Sequence, residues 1–423
     1  MTRMIRNFDA LNSTLLREHA LSIAEAGYAA INTETVVRGA LTLSEQAFSV
    51  GGRTYDLSRF ERVRIIGFGK VSCKAVQAIE SVLKGHVSDG IAIDIQTGVC
   101  DIVDIVTGTH PYPSPQNVSA TERIVALSKD SSAKDLVIVV VSGGGSSLLC
   151  YPYAECEQGT RLYDDFKRVG ASISEVNLVR RHISSVKGGG LAALLYPATV
   201  VGLVFSDIAD GKAEDVASGP TYFDPTTEAD AQAVLDRYGF SGYVLRETPK
   251  DPAFFAHVHN VEVVSNVRAI DAMATAASAM KYRVISAGAG LYDDPFALVE
   301  KMYRESGPGV AVVGGGEPSI KVVKEGGVGG CCAHTALHAL KRVGKDEVFL
   351  AFASDGRDNS DFAGAITDSA TVEHARERTL SIEDALARFD SYTFFKQTGD
   401  FLMTGPTGSN VSDLFILLNK QET

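Results

Sequence analysis

The chain has 423 residues and carries 40 basic against 52 acidic side chains, a formal net charge of −12. That balance excludes a grip on nucleic acid through bulk positive charge, because a polyphosphate partner requires a basic surface. At 45% hydrophobic and 22% charged residues, the composition is globular and leaves room for two or three domains. The one unusual count is glycine, 40 residues or about 9% where ~7% is ordinary. Six scattered cysteines without a Cys-x-x-Cys pair argue for reduced thiols rather than a disulfide scaffold or zinc ribbon. No apolar run approaches the ~18 residues of a membrane span, and the first residues lack the apolar core of a secretory signal. A cytoplasmic protein without a membrane partner is expected.

In chain order, Leu15, Leu16, Ile23 and Ala30 recur at helical spacing, so the pattern predicts an opening helix over 14–32 with Ser13 as its cap. VRIIGFGK at 63–70 reads as a buried strand that ends in glycines and leads into a helix, and DLVIVVVSGGGSS at 135–147 repeats that order more strongly. Further strands are predicted at 90–95, 198–207, 261–267, 282–288, 309–317, 347–356 and 400–408, with helical patterns between most of them. Such alternation points to α/β layers around mostly parallel sheets. Residues 241–260 have charge, proline and little periodicity, which marks a linker. The expected division is an N-terminal domain at 1–250 and a C-terminal domain at 251–423.

In such sheets ligands bind where strands end and loops feed helices. Ser142, Gly143, Gly144, Gly145, Ser146 and Ser147 form a loop with little bulk, whose backbone N–H groups and hydroxyls suit an anion. Gly67-Phe68-Gly69-Lys70 offers a similar turn with a lysine at its mouth, but neither the Walker spacing nor Gly-x-Gly-x-x-Gly is present. NLVRRHISSVK at 177–187 reads as one helix, with Val179, Ile183 and Val186 on an apolar stripe and Arg180, Ser184 and Lys187 beside it, a cationic edge for a carboxylate or phosphate. Asp207, Glu317, Asp355, Asp358 and Asp361 stand at strand ends, where carboxylates hold Mg²⁺ or accept a proton, or simply cap turns. His334 and His338 are four apart, but without a Glu after the first histidine they read as packing rather than metal ligation.

In order, GFGK, THPYPS, VVSGGGSSLL, NLVRRHISSVKGG, LVFSDI, ASGPT, GGGEPSIKV, SDGRDNSDFAGAITD and TGPTGSNVSDL resemble the glycerate 2-kinase family over about residues 8–418. The resemblance implies an N-terminal Rossmann-like α/β domain and a smaller α/β domain containing the region called MOFRL, about 308–416, with the active site in the cleft between them. It implies ATP and Mg²⁺ as cofactors and transfer of the γ-phosphoryl group to the 2-hydroxyl of D-glycerate or a related small hydroxy acid, in a monomer or homodimer. Carried over by motif, Lys70 lies near the transferring group, Ser142 to Ser147 form the glycine-rich loop, and Arg180 and Lys187 belong to the basic helix. Asp207 and Glu317 are the acids expected to meet the metal. Asp355, Asp358 and Asp361 form the acid-rich loop, and Thr404, Gly405, Thr407 and Asn410 the closing turn.

Two motifs depart from the family pattern. Gly329-Gly330 is followed by Cys331 and Cys332 where the family has an arginine, and Asp210-Gly211-Lys212 stands where it has Gly-Asp-Asp. Neither cysteine nor histidine reproduces the bidentate fork of a guanidinium. Arg357, with or without Lys212, is the expected substitute, which makes Lys70, Asp207 and Arg357 the catalytic candidates. A non-catalytic paralogue that binds a nucleotide or metabolite stays open as an alternative. So does a nicotinamide-dependent hydroxypyruvate reductase, although the dinucleotide fingerprint is missing.

Overall fold

In the computed structural model, which describes residues 3–208, 213–320 and 326–421, contacts divide the chain into two units. One comprises Thr33–Asp207 with the residues leading to Val263; the other joins the N-terminal residues up to Asn32 to Val264 and everything after it.

The first unit begins with an antiparallel meander, β1 (Leu41–Ser44), β2 (Ala47–Val50) and β3 (Arg53–Asp56). Its main sheet uses β4 (Arg62–Phe68), β5 (Val87–Asp94), β6 (Asp104–Thr107), β7 (Asp135–Ser142), β8 (Thr199–Phe205) and β9 (Val258–Val264) in the order β6-β5-β4-β7-β8-β9. The central pairs run parallel, with Ile66 opposite Val139 and Val140 opposite Leu203. All eight residues of β7 are buried, which is why the run is continuously apolar: helices cover both faces of a parallel sheet. Each fully buried Val or Ile contributes about 1.5–3 kcal/mol.

The second unit holds β10 (Arg283–Gly288), β11 (Val310–Gly316), β12 (Glu347–Ala353), β13 (Gly364–Asp368), β14 (Phe401–Leu402) and β15 (Asp413–Asn419), ordered β10-β11-β15-β12-β13-β14. Only β10 and β11 pair in parallel; the other pairs are antiparallel, so this sheet is mixed. Strand β12 reads as continuously apolar because helices pack on it from the Cys331–Leu340 and Leu15–Ala30 segments, the first also meeting β13 and the second β15. Among the described residues no helix is long and apolar enough to cross a membrane.

Several details differ from the sequence reading. Sequence order assigns the opening helix to residues 1–250, whereas Leu15–Ala30 packs in the second unit, burying Ala20, Leu21, Ile23, Ala24 and Tyr28. It lies against the Asn266–Ala279 helix, with Gly27 facing Met273. Buried Arg17 ties it down further, forking onto both oxygens of Asp368 at 2.7 Å and pairing with Asp400 at 2.8 Å. The helix is capped by the Thr14 hydroxyl, which accepts the Arg17 N–H at 3.2 Å, and not by Ser13. The 400–408 strand shrinks to Phe401–Leu402, because Thr404 to Asn410 form a loop. The supposed linker at 241–260 is fastened to the first unit: Tyr243 and Leu245 pack on the cluster around Phe166, and the Arg246 N–H donates to the His182 carbonyl at 2.7 Å.

Candidate functional site

In the first unit the two glycine turns lie side by side because β4 and β7 are neighbours. The Lys70 N–H donates to the Gly143 carbonyl at 2.9 Å. Gly69 has φ +118°, and a Cβ there would lie 2.1 Å from Ser142 Oγ, so no side chain is tolerated at this crossing. Ser142 is fully buried; its hydroxyl donates to the Phe68 carbonyl and accepts the Val71 N–H, each at 3.4 Å. It fastens the turns together and faces no solvent. Gly144, at φ +80°, precedes the short helical turn Gly145–Leu148. A Cβ on Gly145 would lie 2.7 Å from that of Ala217.

The serines and the basic helix join through one polar chain. Ser146 Oγ lies 2.9 Å from Ser218 Oγ, Ser218 donates to Asn177 Oδ1 at 3.2 Å, and Arg180 Nη1 donates to the same oxygen at 2.9 Å. Ser147 donates to the Pro111 carbonyl at 2.6 Å. Burial lowers the Arg180 pKa to about 10 against the raising effect of Glu155 and Tyr163. The guanidinium still carries its charge at neutral pH. A small void of about 10 Å³, room for about one water, is lined by Arg180, Ser146, Ser147 and Tyr163 among others.

The basic segment is not one helix. Ile173–His182 starts with a capping box between Ser172 and Glu175 and ends at His182, with Ile183 as its C-cap. Ser184 and Lys187 therefore do not share its face with Arg180. Glycines at 188 and 189 take φ +53° and +86°, and the chain turns Lys187 inward. Its ammonium pairs with the buried Glu155 carboxylate and donates to the Leu149 carbonyl at 2.6 Å. Lys187 is thus a buried structural cation rather than a surface for an anion. Burial raises the Glu155 pKa, and Lys187 opposes that shift. The helix Ser72–Leu83 that follows Lys70 is also served internally, since Asp94 accepts the Cys73 N–H at 2.9 Å. Asp207 stands half-buried two residues beyond β8.

In the second unit Glu317 is exposed just past β11. Asp358 is buried and caps the Cys331–Leu340 helix, accepting the N–H groups of Cys332 and Ala333 at 2.9 and 2.7 Å. Gly330 permits this, because a Cβ there would meet Asp358 Oδ1 at 2.1 Å. Burial raises the Asp358 pKa to about 6, helped by Asp355 and opposed by the two N–H donors. Asp413, at the start of β15, is pushed well above its ordinary range by burial and then by Asp358 and Glu317. Asp355 accepts the Arg357 N–H at 3.0 Å, while Arg357 and Asp361 are exposed. Thr407 Oγ donates to the Ser354 carbonyl at 2.6 Å, and Asn410 is buried beside it in the loop. Gly405 takes φ +68° against the Arg6 guanidinium.

Comparison with known proteins assigns both halves. Residues 19–250 match the family described as a domain of unknown function, DUF4147, and residues 310–413 match the MOFRL family. A glycerate 2-kinase of Pyrococcus horikoshii is 30% identical over 95% of this chain and 97% of its own. The chain belongs to the glycerate 2-kinase family. A D-glycerate 2-kinase of Thermotoga maritima is 32% identical over 84% of this chain and 90% of its own. The crystal structure of glycerate kinase from that organism superposes with a TM-score of 0.80 at 27% identity, covering 95% of this chain and 99% of that one. A putative hydroxypyruvate reductase of Agrobacterium vitis is 33% identical over 84% of this chain and 99% of its own.

Among the described residues of this glycerate 2-kinase family member, no ready metal cage is formed. Among the described residues no group of three His, Cys, Asp or Glu side chains is arranged to hold a metal ion. Asp207 and Glu317 belong to different units. Lys212 lies outside the described residues. His334 and His338 pack as rings, 5.0 Å apart, with His334 stacked on Phe389. Sequence reasoning missed four groups: His110 beside Gly144, Asn177 and Ser218 in the polar chain, and Asp413 beside Asp358. Each lies inside a quoted motif, His110 in THPYPS, Asn177 in NLVRRHISSVKGG, Ser218 in ASGPT and Asp413 in TGPTGSNVSDL, but a motif does not say which of its side chains meet.

Proposed function

We propose that the protein is an ATP-dependent kinase that transfers the γ-phosphoryl group to the 2-hydroxyl of D-glycerate or a closely related small hydroxy acid, in the cytoplasm. The observation that carries this reading is the pair of glycine turns bearing Lys70, with Arg180 held nearby by Asn177. Phosphoryl transfer asks little covalent chemistry of a protein; it needs positioning and neutralisation of charge on the transferring group. Lys70 and Arg180 supply that charge, and the backbone of Gly143 to Gly145 lets phosphate oxygens approach closely. Ser142 holds the turns in register, and Ser146 and Ser147 orient the loop through Ser218 and Pro111. Lys187 acts from behind, as the partner of the buried Glu155 side chain, which lies close enough to Arg180 to raise its pKa.

Asp207 and Arg357 remain the proposed further catalytic groups. Glu317, Asp355, Asp358, Asp361, Thr407 and Asn410 are the proposed contributors from the C-terminal unit. Mg²⁺ would arrive with the nucleotide, because it binds through substrate phosphates and few carboxylates rather than a protein cage. The test is ADP formation by the purified protein with ATP, Mg²⁺ and a panel of 2-hydroxy acids. D-glycerate-dependent ADP is expected. NADH oxidation by hydroxypyruvate without ADP formation would replace this reading with a reductase.

A further inference from the structure

The loop from Thr109 to Pro113 runs beside the glycine turn and is fixed there by buried Asn117. That amide donates to the Thr109 and Ser147 carbonyls at 2.9 and 2.8 Å and accepts the Thr109 N–H at 2.8 Å. With the Ser147 to Pro111 bond, this sets His110 against Gly144. A Cβ on Gly144 would lie 3.2 Å from His110 Cδ2, 3.5 Å from its Nε2 and 3.1 Å from Lys70 Cγ. The side chain is exposed, and among the described residues no group hydrogen-bonds either ring nitrogen.

We propose that His110 is an oxyanion-binding residue of this loop, its ring N–H completing the set formed by Lys70 and Arg180. A histidine that served packing alone would hide its ring; this one is held by a rigid loop with a polar edge open beside two cations. Desolvation on its protein side, then the charges of Lys70 and Arg180, lower its pKa to about 4. The ring is therefore neutral at pH 7 and donates one N–H without placing a third positive charge beside Lys70 and Arg180. The kinase reading supplies only the identity of the oxyanion, either a nucleotide phosphate or the carboxylate of the hydroxy acid.

The test compares full-length wild type, His110→Ala and His110→Gln by thermal melting, alone and with ATP or D-glycerate, alongside ADP formation. The unliganded melting temperatures should agree within about 2 °C, since surface substitutions change stability little. For the ligand that His110 holds, H110A should lose at least half of the stabilisation seen in wild type, and KM for that ligand should rise about tenfold. H110Q, which keeps an N–H donor, should recover part of both. A loss of ATP or glycerate stabilisation in H110A supports the inference even if wild type forms no ADP, in which case only the kinase reading fails. H110A responding to both ligands as wild type does, or a wild type stabilised by neither, would overturn it.

Discussion

A single side chain shows how far residue type falls short of residue role. Lys187 reads in the sequence as one of four potentially cationic side chains packed into eleven residues, yet its neighbours Gly188 and Gly189 take left-handed conformations and turn it into the core. There it neutralises Glu155, and both side chains are at most 3% exposed. A buried pair of this kind adds little relative to an apolar pair, but removing one partner strands the other. Lys187→Met should therefore destabilise the protein by about 3–5 kcal/mol in urea denaturation, and adding Glu155→Gln should restore most of that. A double variant as unstable as the single one would show that the charge pairing is not what Lys187 supplies. Lys70 differs because its glycine turn places it half-buried at the loop mouth. The loop motif made that position legible; the inward turn of Lys187 depended on φ angles that a glycine permits but does not dictate.

At the scale of elements, strand-to-glycine-loop units were legible wherever a long Val/Ile run met two or three glycines, as at β4, β7 and β11. Short strands without that signal, such as β6 and β13, were not, because four or five residues carry too little pattern to separate strand from loop. Antiparallel β15 escaped for another reason: it follows a turn-rich loop whose polar residues mask the start of the run. The helix Cys331–Leu340 illustrates an element whose terminus is set by a distant side chain, Asp358, rather than by its own N-cap Gly330.

That cap makes a pH-dependent prediction. The folded Asp358 has its pKa raised from 3.8 to about 6, so between those values the folded state holds more protons than the unfolded one. Its contribution falls as pH rises through that window and is level above it. Asp355, Asp413 and Glu317 face the same cluster and add to the repulsion. Measured from pH 4 to 7, the stability of wild type relative to Asp358→Asn should therefore decline. A difference that stays flat or grows with pH would mean that Asp358 is not held protonated by its surroundings.

The whole molecule was legible in outline, as layered α/β units with glycine turns at strand ends, and the family resemblance agrees with both matched domains. What order along the chain could not show is that the first helix serves the second unit, since a stripe of apolar residues does not say which sheet it covers. The division leaves the glycine turns and cations in one unit and the acid-rich loop in the other. The net charge of −12 thus coexists with a local pair of cations, Lys70 and Arg180, both close enough to His110 to lower its pKa.

In the proposed function Lys70 and the glycine turns carry phosphoryl transfer. The most direct measurement is D-glycerate-dependent ADP formation by wild type and Lys70→Ala, with melting temperatures recorded for both. Turnover by wild type is expected, with a fall in kcat of about 10²–10³-fold in K70A, as for loss of one charge-stabilising group, and an unchanged melting temperature. Equal turnover in the two proteins, or no hydroxy-acid-dependent ADP from wild type, would contradict it.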